Sequence, residues 1–143
     1  MTGFDAWESI GFHCSLTYRS FVRAFEKRLH KTGITPAQFF ALSHLTALGP
    51  MPQAELAAYL TTSPVSVVRL IDRMERDGWV KRKADTVDRR VKLVVPTAQA
   101  EAIWNELTDL MRVFLEHAYR GISEEELEGV KITLRRIRDN LET

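Results

Sequence analysis

The chain carries one cysteine, Cys14, so no disulfide can form within it. Its longest apolar clusters fall far short of the roughly 18 residues that cross a bilayer. The opening Met1-Thr2-Gly3-Phe4-Asp5 lacks the basic-then-apolar layout of a secretory leader, so the expected location is the cytoplasm, with no membrane partner. There is no glycine-rich phosphate loop, no paired-histidine metal motif and no Gly-x-Ser-x-Gly elbow. His13, His30, His44 and His117 are scattered, and adjacent residues such as His13-Cys14 on one helix point in different directions. These absences argue against an enzyme, a cofactor or a metal centre. Repeats of 20–50 residues and low-complexity tracts are missing too.

What is present fits one domain, or a small domain on a helical frame: 143 residues, 45% apolar and 27% charged, with a formal net charge of only +1. The charge is unevenly distributed. Residues 63–92 hold nine Lys/Arg against five acids, a net of +4, whereas residues 93–143 hold six against ten, a net of −4. A basic segment followed by an acidic one suggests one face for a polyanion and another for something else.

Hydrophobic periodicity predicts a mainly helical chain. Ile10, Cys14, Phe21, Val22, Phe25 and Leu29 mark a buried stripe on a helix from about Asp5 to Lys31, ended near Gly33. Thr35-Pro36 opens a second helix with Phe39, Leu42, Leu45 and Leu48 inward, stopping at Gly49-Pro50. A short third helix, Gln53 to Leu60, turns at Thr61-Thr62 into a fourth. There Ser63 caps free N–H groups and Pro64 fits the first helical position. Val67, Leu70, Ile71 and Met74 form the buried stripe of that helix, which leaves Ser66, Arg69 and Arg73 on other faces. After Asp77-Gly78, two strands, Trp79–Lys83 and Val91–Val95, flank a projecting loop with Asp88-Arg89-Arg90 at its tip. Pro96-Thr97 starts a fifth helix. Ser123 and Glu126 form a capping box for a sixth, whose Leu127, Val130, Leu134, Ile137 and Leu141 make a coiled-coil-like seam.

A short helix with one apolar stripe and one polar-basic face, followed by a basic ribbon, has the parts of a DNA reader. The ordered set resembles the MarR family of bacterial transcription regulators over nearly the whole chain. The resemblance is carried by Gly33-Ile34-Thr35-Pro36-Ala37-Gln38-Phe39, Leu56-Ala57, Ser63-Pro64 through Arg69-Leu70-Ile71-Asp72-Arg73-Met74-Glu75, Asp77-Gly78-Trp79-Val80-Lys81-Arg82 and Asp85-Thr86-Val87-Asp88-Arg89-Arg90-Val91-Lys92-Leu93. It implies a mainly α fold with a small β wing: a winged helix-turn-helix over residues 35–97, between dimerisation helices at 1–34 and 98–143. It also implies a homodimer on a pseudo-palindromic operator in double-stranded DNA, usually a repressor, released by a small and often aromatic effector.

Under that reading Ser63, Pro64, Val65 and Ser66 lie nearest the base edges, and Arg69 is long enough to take a guanine. Val68, if it faces the groove, favours a thymine methyl. Arg73 reads as a phosphate contact or a partner of Asp72 or Asp77. Arg89 or Arg90 is expected in the minor groove with Asp88 steadying one of them, and Lys81, Lys83 and Lys92 are candidate phosphate contacts. Phe12, Tyr18, Phe39, Phe40 and Trp104 are candidates to line an effector pocket, although an aromatic stripe at helical spacing also describes plain core. The alternative is an oxidant-sensing regulator using Cys14, with Tyr18 one turn away; against it, a small cysteine on an apolar face is commonly core.

Overall fold

The computed structural model describes residues 3, 5–60 and 62–143. The helices are α1 (Ile10–Leu29), α2 (Pro36–Leu48), α3 (Gln53–Leu60), α4 (Pro64–Arg76), α5 (Ala98–Ala118) and α6 (Glu124–Leu141). Three strands accompany them: β1 (Met51–Pro52), β2 (Val80–Ala84) and β3 (Lys92–Pro96). The fold is therefore mainly α with a small antiparallel sheet, as the periodicity predicts. Of the expected turn at Thr61-Thr62, Thr61 lies outside the described residues.

Local chemistry sets most boundaries. Thr35 and Gln38 close a reciprocal capping box at the start of α2, with Pro36 in its first turn. Ser123 and Glu126 do the same for α6. The expected single helix from Asp5 is instead broken: Asp5 caps one 3-10 turn, Ala6–Glu8, and the extended backbone at Ser9 (ψ 127°) restarts the chain as α1. Glycine ends α4, because Gly78 sits at φ +84°, a left-handed conformation without penalty only for a residue lacking Cβ.

The sheet has one strand more than the sequence pattern predicts. β3 lies centrally, with β2 and β1 antiparallel on either side; Val80 pairs with Pro96, Ala84 with Lys92, and Met51 with Val94. Two residues are too few to show alternation, so β1 is set by its partner and not by its own pattern. Pro52 has no N–H to donate, which suits an edge strand.

The chain divides into two compact units, Met1–Leu110 and Met111–Thr143. In the first, Phe25, Leu29, Leu42, Leu45, Leu56, Ile71, Met74 and Leu107 are fully enclosed. Each such burial contributes about 1.5–3 kcal/mol relative to exposure. Phe39 joins three helices: it meets Phe25 of α1 edge-on at 5.0 Å and stacks on Trp104 of α5 at 5.7 Å. Three expected core positions lie at the surface instead. Ile10 and Leu48 are more than half exposed and Cys14 is exposed, since their stripes run past the ends of the packed region. In the second unit, the α6 seam is part-exposed at Leu127, Leu134 and Ile137, and Val130 and Leu141 are exposed. No described helix is long and apolar enough to cross a membrane.

Candidate nucleic-acid interface

Helix α4 starts where Ser63 accepts a hydrogen bond from the Ser66 N–H at 3.2 Å and donates its own hydroxyl proton to Ser66 Oγ at 2.8 Å. Val67, Ile71 and Met74 are buried and fix which side of the helix turns inward. At about 100° per residue the opposite side carries Val65, Arg69, Asp72 and Arg76, with Val68 at its edge, all exposed. The two flanks between these sides have different neighbours.

On one flank the helix is tied to the wing. Arg82, on β2, donates from Nη1 to Glu75 (3.0 Å) and from Nη2 to Asp72 (2.6 Å) and Gln53 (2.9 Å). Its backbone N–H also donates to Glu75, at 2.9 Å. One guanidinium thus joins α3, α4 and β2. Period-two alternation along Val80-Lys81-Arg82-Lys83 turns Arg82 to the same face as the buried Val80 and leaves both lysines exposed. That alternation was the available signal for this residue, which the motif reading passed over. Asp72 is held by Arg82 and Asp77 accepts from the buried Gln38 side chain at 3.4 Å; among the described residues neither acid forms an ion pair with Arg73.

On the other flank Ser66, Arg69, Leu70 and Arg73 form a wall of a cleft of about 580 Å³, opposite Tyr18, Ala37, Phe40, His44, Tyr59, Leu60 and Thr62. His44 and Tyr59 stack at 5.3 Å. Among the described residues, Arg69 and Arg73 have no ion-pair partner. Of the aromatic candidates, Tyr18 and Phe40 line this cleft. Phe39 is core, Phe12 packs on Trp7 at 4.7 Å, and Trp104 borders a separate cavity of about 120 Å³ beside Pro96 and Ala100. Tyr59 and His44 were missed, because nothing local marks which side of a helix a cleft will open on. Cys14 is free and is not among the lining residues.

At the tip of the wing Asp88 holds Arg90 in a two-pronged pair, with Nε to Oδ1 and Nη2 to Oδ2 both at 3.1 Å. The Asp88 carboxylate also accepts from the Arg90 backbone N–H at 3.1 Å. The side-chain bond first, then the backbone one, holds the Asp88 carboxyl below its ordinary range, while Asp88 raises the affinity of Arg90 for its proton. Arg89 and Lys92 are exposed, and among the described residues Arg89 has no partner.

A helix pair joined by a turn, with its second helix braced against a basic hairpin, defines a winged helix-turn-helix protein. The model of the MarR family matches residues 34–92. Over 111 residues the chain is 34% identical to the uncharacterized HTH-type transcriptional regulator YwoH of Bacillus subtilis, covering 78% of this chain and 80% of that one. The fold matches a mutant MarR from E. coli complexed with operator DNA: TM-score 0.81, 22% identity, 90% and 92% of the two chains. It also matches CouR from Rhodococcus jostii RHA1 bound to p-coumaroyl-CoA: TM-score 0.82, 24% identity, 94% and 95%. The chain belongs to the MarR family of transcription regulators.

Proposed function

We propose that the protein is a repressor that binds a pseudo-palindromic operator as a homodimer and lets go when a small aromatic anion enters the cleft beside α4. The observation that carries the reading is the pair of flanks on α4. One is locked to the wing by Arg82, and the other opens on a cleft lined by Arg69 and Arg73. The N-terminal half of α4 enters the major groove, with Val65 and Arg69 beside the bases and Arg73 on phosphate. Arg90, aimed by Asp88, reaches the minor groove, while Arg89 and Lys92 meet phosphate. The fold shared with a regulator in complex with operator DNA supports this placement.

Dimerisation by residues 1–34 and 98–143 accounts for the apolar residues left open on the terminal helices, including Ile10, Val130 and Leu141. In the cleft, Tyr18, Phe40 and Tyr59 offer ring faces, and two unpaired guanidiniums offer counter-charge. Its volume lies in the range of small-molecule sites. An anion there engages Arg69 and draws it from the groove, a local lever beside any change in the spacing of two readers. Cys14 stands outside the cleft, so the cleft and not the thiol carries the sensing in this reading.

The test is selection of bound fragments from a random duplex library, followed by a salt titration of the enriched site with wild type and Arg90→Ala. The expected result is enriched half-sites about one helical turn apart. The slope of log affinity against log salt should fall by about 0.9 in the variant if one phosphate-region contact is lost. Equal affinity of the two proteins at every salt concentration sinks the wing assignment.

A further inference from the structure

The end of α4 that enters the groove is short of hydrogen-bonding groups. The Ser63 hydroxyl is taken up at both ends, accepting from the Ser66 N–H and donating to Ser66 Oγ. Ser66 faces the cleft, and Asp72 is bound to Arg82. What remains outward over the first two turns is Pro64, Val65, Val68 and Arg69. Only the arginine among these can donate a hydrogen bond from its side chain. Val65 is 61% exposed and Val68 40%, on a helix whose other outward residues beyond Pro64 are charged. Single surface valines are ordinary. Two at i and i+3 on the outward stripe of a reading helix form one apolar patch, their Cβ atoms about 5–6 Å apart.

In the major groove the one apolar feature of a base pair is the thymine C5-methyl. Two valines at that separation span no more than about two base-pair steps of roughly 3.4 Å. We propose that Val65 and Val68 determine sequence preference by packing on two thymine methyls, at most two steps apart, in each half-site. Arg69 then supplies the hydrogen-bonded contact beside them. This rests on the groove-reading role of α4 and adds which chemical group is read. Apolar contact, not a donor–acceptor pattern, distinguishes thymine at these positions.

Uracil isolates the methyl, since it keeps every hydrogen-bonding group of thymine. In one half-site of the enriched duplex, each thymine is replaced in turn by uracil. Dissociation constants are then measured by fluorescence anisotropy for wild type, Val65→Ala and Val68→Ala. Both positions are exposed and alanine favours helix, so the variants fold. At two thymines no more than two steps apart, uracil should weaken wild-type binding about fourfold each, the equivalent of roughly 0.8 kcal/mol per buried methyl-sized group. Each alanine variant should lose the sensitivity at one of those thymines and keep it at the other. Wild type that tolerates uracil at every position overturns the inference, as does a sensitivity that persists unchanged in both variants. A library that yields no enriched sequence overturns the groove-reading role itself, and so separates that failure from this one.

Discussion

Replacing Arg82 with alanine tests whether the wing and the reading helix act as one body. The substitution removes three side-chain hydrogen bonds, to Glu75, Asp72 and Gln53, and leaves the backbone bond to Glu75 intact. Bonds to charged groups are worth about 1.5–3 kcal/mol when shielded. Here the side chains of Asp72 and Glu75 are 60% and 43% exposed, so solvent screening brings each ion pair down to about 0.5 kcal/mol. With the bond to Gln53 the loss of stability should be about 1–2 kcal/mol, a fall in melting temperature of roughly 3–8 °C. DNA binding should suffer more than this suggests. Two carboxylates on α4 lose their counter-charge while facing a polyanion, and the wing loses its tie to α3 and keeps only the backbone bond to α4. About a tenfold weaker complex at low salt is expected, measured by anisotropy on the enriched duplex. Because Arg82 is spent inside the protein, the salt slope should change by well under the 0.9 that marks a lost phosphate contact. The Arg82→Lys variant keeps the charge, but its single ammonium cannot span three acceptors, and it should recover only part of the loss. An alanine variant that melts and binds like wild type would refute the clamp. A slope lowered by a full unit would instead make Arg82 a phosphate contact.

Two further predictions concern the turn into the wing and its tip. Gly78→Ala places a Cβ on a backbone at φ +84°, 2.7 Å from Gln99 Oε1. The glutamine tip can swing aside, but the left-handed backbone should still cost about 1–2 kcal/mol, read as a lower urea midpoint; an unchanged midpoint contradicts it. The Asp88 carboxyl, held low in the folded protein by Arg90, contributes wing order that is complete above the ordinary carboxylate range. That order is lost as pH falls through the lowered value. A carbon-detected titration of Asp88 should therefore show its midpoint below the ordinary aspartate value, moving back toward that value in Arg90→Ala. A wild-type midpoint at or above it removes the pairing.

Much of this fold is local and so was open to a reading of the residues alone. Ser63-Pro64, Thr35-Pro36 and the Ser123–Glu126 box place helix starts because a cap satisfies N–H groups within its own first turn. That Asp88 holds one of its two neighbouring arginines was legible for the same reason, while the choice of Arg90 came from the folded loop. Groups whose roles depend on distant chain were not legible. Phe39 and Phe40 are neighbours in sequence, yet one is enclosed between α1 and α5 and the other lines the cleft, because α2 has neighbours on more than one side. Leu45 and Leu48 share a stripe, but only Leu45 is covered. Local pattern gives a residue's direction on its helix; what stands opposite comes from elsewhere in the chain.

Interactions spanning a few residues, or an ordered set of short motifs, carry the six helices in order, the two wing strands, the cap of the reading helix and the family, and these could be read without a structure. That Met51-Pro52 is a third strand, that Arg82 joins wing and helix, and that Arg69 and Arg73 border a cleft with Tyr18 and Tyr59 emerged only from the folded chain. Each of these joins segments far apart in the chain. The free energy that selects such pairings comes from burying the whole core at once, and no short stretch of sequence carries it.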